Sequence, residues 1–99
     1  MRNKIPLIGL TLALLMTSCG KRPIADFTWT PVTPTAGQEV KFTNNSKDAK
    51  SYSWNFGDMS IGKDKNPTHI YKNAGNYIVD LQANNGLQSD EKTVTITVK

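Results

Sequence analysis

The sequence predicts an all-β protein, an antiparallel β-sandwich of short strands behind a helical leader that is absent from the mature chain. Two observations carry the fold class. Apolar residues after position 22 recur with a period of two, and clusters of Gly, Pro, Asn and Asp separate the alternating runs. No window in that part of the chain has a helical period. A third observation sets off the leader: residues 1–18 are composed differently from everything that follows.

The leader has three parts. Arg2 and Lys4 give a positive start, and Ile5 to Met16 is an uncharged, mostly apolar run. Met16-Thr17-Ser18 then brings small residues up to Cys19, which is the layout of a secretory signal peptide. A permanent span is the competing reading. Twelve helical residues cover about 18 Å, short of a hydrocarbon core of roughly 30 Å. The segment Met16-Thr17-Ser18-Cys19 resembles the lipobox of bacterial lipoproteins. That resemblance implies a lipid on the Cys19 thiol, cleavage just before it, and acylation of the new amine. Two or more acyl chains anchor a protein stably, whereas one holds it only marginally. A free core cysteine fits poorly, since Cys19 precedes the polar Gly20-Lys21-Arg22-Pro23. Gly20, standing where an aspartate would retain an enteric lipoprotein at the inner membrane, leans by resemblance toward the outer membrane. The expected organisation is therefore a signal peptide at 1–18, a lipidated tether at 19–23 and one domain at 24–99.

The formal charge of +4 is inflated by the leader. Without Arg2 and Lys4 the chain carries ten basic against eight acidic residues, and its lysines are scattered from Lys21 to Lys99. Nucleic-acid binding needs a basic cluster or stripe, so no nucleic-acid partner is expected. A single cysteine allows no intramolecular disulfide, and a mature chain of 81 residues must hold its fold by packing alone.

The strands follow in order. Ala25, Phe27 and Trp29 alternate with polar residues, as do Val40 and Phe42. Tyr52, Trp54 and Phe56 form the next run, with Trp54 as the aromatic at the centre of a middle strand. A short strand fits Thr68-His69-Ile70-Tyr71 after the Asn66-Pro67 turn. Tyr77, Val79, Leu81 and Ala83 come next, and Val94, Ile96 and Val98 alternate with three threonines. Turns are expected at Pro31–Gly37, Asn44–Asp48, Gly57–Asn66, Asn73–Gly75 and Asn84–Gly86. Short strands at such spacing argue for a sandwich.

Two segments make the fold specific. Ser53-Trp54-Asn55-Phe56-Gly57-Asp58 resembles the W-x-F-G-D signature of PKD domains. Residues 66–81, including Pro67-Thr68-His69, Tyr71, Gly75, Tyr77, Val79 and Leu81, resemble that family's P-T-H-x-Y-x-x-x-G-x-Y-x-V-x-L segment. The likeness spans about residues 23–98 and implies an immunoglobulin-like sandwich in which Trp54, Phe56, Gly57, Asp58, His69, Tyr71, Gly75 and Tyr77 serve structure. Gly57 lets the chain leave its strand sharply. The Asp58 carboxylate is placed to accept amides of the following loop, as Asx side chains do. Tyr77 resembles the tyrosine corner, and His69 is expected beside the core. Many family members carry a second glycine where Met59 stands. The loop Met59–Lys65 is therefore expected to differ in shape, with Met59 a contact residue if exposed.

Catalysis is not expected. A Ser–His–Asp set could be assembled on paper around His69, but no nucleophile motif surrounds any serine. No paired His/Cys spacing suggests zinc, and Asp58 and Asp64 lack the oxygen density of a calcium loop, so no cofactor is expected. What remains is a membrane-anchored cell-envelope module for protein or polysaccharide contacts, or a passive spacer. Exposed aromatics would favour glycan stacking and an unpaired edge strand would favour protein contact; Trp29 is the aromatic to watch.

Overall fold

The computed structural model describes residues 21–99; the leader and Cys19 lie outside the described residues. Seven strands form two antiparallel sheets. They are β1 Phe27–Thr30, β2 Glu39–Asn44, β3 Ser51–Asn55, β4 Ile61–Gly62, β5 Thr68–Ile70, β6 Gly75–Asn84 and β7 Ser89–Val98. One sheet has the order β1-β2-β5 and the other β4-β3-β6-β7. No helix occurs among the described residues.

The inward faces are those the alternation marks. Phe27, Val40 and Phe42 from the first sheet meet Trp54, Val79, Leu81, Ile96 and Val98 from the second, all buried. Trp54 sits at the centre, 1% exposed. Its ring lies 5.0 Å from Phe27 in an edge contact and 5.3 Å from Phe42. Such contacts add to the large apolar area each ring removes from water.

Three features depart from the local pattern. Ile61–Gly62, inside an expected turn, pairs with Asn55 and Trp54 as a two-residue strand. Strand β7 begins at Ser89, well before the apolar alternation that marks its end, because ten consecutive residues pair with β6 in a long hairpin. Its polar half is recruited by backbone hydrogen bonds rather than by burial. At the other end, before any alternating run, Pro23 is fully buried and Ile24 bridges Lys47.

The sheets are also tied by polar contacts. The Lys92 ammonium lies 2.6 Å from the Asp26 carboxylate and 5.8 Å from the Phe27 ring centre. Lys92 holds the Asp26 carboxyl below the usual carboxylate range. Both side chains are well exposed, so this pair contributes little stability.

Candidate functional site

The signature residues form one connected layer. Phe56 stacks flat on His69 at 4.3 Å, His69 meets Tyr71 edge-on at 4.7 Å, and Tyr71 contacts Tyr77 at 4.4 Å. The buried Tyr71 hydroxyl donates to the Phe56 carbonyl at 2.9 Å. Burial pushes the Tyr71 hydroxyl's pKa up, with the negative Asp58 and the neighbouring Tyr77 adding to the effect. The Tyr77 hydroxyl donates to the Asn73 carbonyl at 2.7 Å, four residues upstream. Gly57, at φ 87°, passes so close to β6 that a Cβ there would lie 2.5 Å from the Ile78 carbonyl oxygen. Gly75 opens β6 beside the Tyr77 ring.

Asp58 stands where this layer meets solvent. Its Oδ1 accepts the Ser60 amide at 3.2 Å and, in a shorter bond, the Ser60 hydroxyl. Its Oδ2 lies 2.7 Å from Nε2 of His69, which donates. Burial would raise the Asp58 pKa. The hydrogen bonds from Ser60 and His69 outweigh it and hold the carboxyl below its ordinary range. Local sequence reasoning reaches the Ser60 contact but not the one with His69, eleven residues away.

Ser60, His69 and Asp58 therefore do meet, but not as a triad. Both His69 contacts fall on Nε2, with the Ser60 Oγ at 3.2 Å from that same nitrogen. A triad needs one ring nitrogen for the carboxylate and the other for the nucleophile. Here the serine proton already points at a carboxylate. The shallow groove of about 360 Å³ alongside is lined by Asp58, Ser60, His69, Ile70, Lys72, Asn73 and Tyr77. Among the described residues no group of three or more His, Cys, Asp or Glu side chains converges as metal ligands would.

A second, larger groove lies on the outer face of the four-stranded sheet, about 600 Å³ in volume. Pairing of β3 with β6 sets Ser51 opposite Asn84 and Ser53 opposite Gln82. These four outward side chains form a polar floor, bordered by Lys50, Lys63 and Lys65. The sequence marks the floor only as the polar half of two alternating strands. Nothing local shows that three lysines will border it. Trp29 is half-buried, its indole N–H donating to the Val32 carbonyl at 3.1 Å. Met59 is 99% exposed, at a positive φ of 75°.

Two antiparallel sheets face to face, a buried central tryptophan and a tyrosine tied to its own loop define an immunoglobulin-like β-sandwich module. The chain belongs to the PKD domain family, whose sequence profile matches residues 20–99. Collagenase ColA of Bacillus cereus is 37% identical over 76 residues, which is 70% of this chain and 8% of the collagenase. The chain thus spans less than a tenth of that enzyme. A solved structure from work on the promiscuous specificity of carbohydrate-binding modules of the β-sandwich superfamily matches with a TM-score of 0.77 and 34% identity. The match covers 81% of this chain and 35% of that one. The PKD1 domain of Vibrio anguillarum Epp matches with a TM-score of 0.71 and 28% identity, over 81% of this chain and 96% of the domain.

Proposed function

We propose that this chain is a cell-envelope lipoprotein in which lipid on Cys19 holds the PKD module at a membrane for non-catalytic contacts with protein or glycan. Glycan is the favoured class. The observation that carries it is the floor of the 600 Å³ groove, where two hydroxyls and two carboxamides project side by side from adjacent strands. Carboxamides and hydroxyls both donate and accept, as the hydroxyl groups of a sugar require. Rigid strands hold them in fixed spacing, which lowers the ordering cost of binding. The similarity to a structure from work on carbohydrate-binding modules supports the same class. A protein contact by strand addition has its own support in the ten-residue β7 at the edge of the larger sheet. The leader, the Cys19 position and Gly20 support an anchored protein at the outer membrane, where the cell has one.

Two measurements test this. The expressed protein should partition into detergent, and Cys19→Ala should abolish both leader cleavage and partitioning; an unmodified mature Cys19 by mass spectrometry would end the anchor reading. Calorimetric titration with soluble polysaccharides should detect binding that Ser53→Ala with Gln82→Ala weakens. Binding to none of them would leave protein contact or a passive envelope role.

A further inference from the structure

We infer that the groove on the β4-β3-β6 face takes an acidic polysaccharide, a chain bearing carboxylate, sulfate or phosphate groups, through Lys50, Lys63 and Lys65. The inference rests on the glycan reading above and narrows its ligand by charge. The three ammonium groups come from separate parts of the chain and border one polar floor, and no carboxylate is among the residues lining it.

Their placement is built into the fold. The buried Trp54 indole N–H donates to the Asp64 carbonyl at 2.8 Å, pinning the backbone between Lys63 and Lys65. Both lysines line the groove, whereas the intervening Asp64 does not. On the far side, the Lys50 amide donates to the Asn84 carbonyl at 2.8 Å, fixing the residue at the mouth of β3. Two acids on this face stand outside the groove's lining. Glu91 pairs with Gln82 from β7, and Asp80 sits one outward position along β6. The register makes Asp80 and Glu91 diagonal neighbours across β6 and β7, and the nearby Asp80 carboxyl raises the Glu91 pKa. The face is thus polarised, basic just before β3 and just after β4, and acidic where β6 pairs with β7. An anionic chain is drawn to the first and kept off the second. A neutral chain gains nothing from either.

Affinity electrophoresis of the full chain in detergent micelles, with polygalacturonate or dextran in the gel, tests this. Polygalacturonate should retard the protein more strongly than dextran. Lys50→Gln with Lys63→Gln and Lys65→Gln should weaken that binding about tenfold or more, and the matching arginine triple should restore it. Lys41→Gln with Lys72→Gln and Lys99→Gln, the same change in net charge elsewhere, should leave it unchanged. The salt dependence should have a log–log slope of about −2, for three charges neutralised on a single-stranded polyanion. Equal binding of dextran that is indifferent to the lysines would overturn the acidic assignment while leaving the glycan reading standing. Binding of neither polymer would remove both. Equal loss in the remote triple, or equally tight binding of a DNA duplex, would make the contact a non-specific polyanion effect and overturn it.

Discussion

Asp58 faces three donors and carries acceptors only, and that mismatch with any neutral substitute sets a measurable cost. The Ser60 amide and hydroxyl occupy Oδ1, and His69 Nε2 occupies Oδ2 at 2.7 Å. A loop cap alone would tolerate Asp58→Asn. The structure revises that expectation, because asparagine has a single acceptor oxygen. With that oxygen serving Ser60, its amide group meets the His69 N–H donor to donor, unless the imidazole moves its proton to Nδ1. Hydrogen bonds to a charged group contribute about 1.5–3 kcal/mol each, at the low end for a carboxylate in partial contact with water. Asp58→Ala should therefore cost about 2–4 kcal/mol and Asp58→Asn about 1–2 kcal/mol. The sign of the pH dependence follows from the lowered pKa. A carboxyl more acidic in the folded than in the unfolded chain stabilises fully above the unfolded value of 3.8. That stabilisation is lost as pH falls through the lower, folded value. Urea denaturation of wild type and both variants, near neutrality and again at about pH 3, should show the gap to Asp58→Asn shrinking in acid. An Asp58→Asn protein within about 0.5 kcal/mol of wild type at both pH values would refute any role for the charge.

Two further substitutions probe the core and its closest backbone contact. Trp54→Ala should cost about 3–5 kcal/mol, enough to leave so small a domain largely unfolded in a thermal melt. An unchanged melt would mean the ring is not the centre of the core. Gly57→Ala meets both a φ of 87° and the Ile78 carbonyl at 2.5 Å, so chemical denaturation should register a loss of more than about 2 kcal/mol. A loss no larger than that of an ordinary surface change would show that the turn can move away from β6.

The strands were legible because alternation is a local property. Phe27, Val40, Phe42, Trp54, Val79, Leu81, Ile96 and Val98 each face the core for reasons written in their own neighbours, and all are buried. The family signature was equally readable, since its residues stand in order along the chain. β4 was not readable, because two residues are too few to alternate and Ile61–Gly62 becomes a strand only through its pairing with β3. The first half of β7 was hidden for the same reason. Ser89 to Lys92 has no apolar rhythm and is extended because β6 lies beside it.

The sequence by itself determined the class of fold and the faces of its strands. Tertiary structure alone decided two things. It carried His69 onto Asp58 across eleven residues, so that the loop cap also accepts a hydrogen bond from a distant strand. It also gathered Lys50, Lys63 and Lys65, which look scattered along the chain, around one polar floor, because strand pairing and the Trp54–Asp64 hydrogen bond bring them there. Periodicity reports which way a side chain points. Only the pairing of distant strands decides what stands beside it.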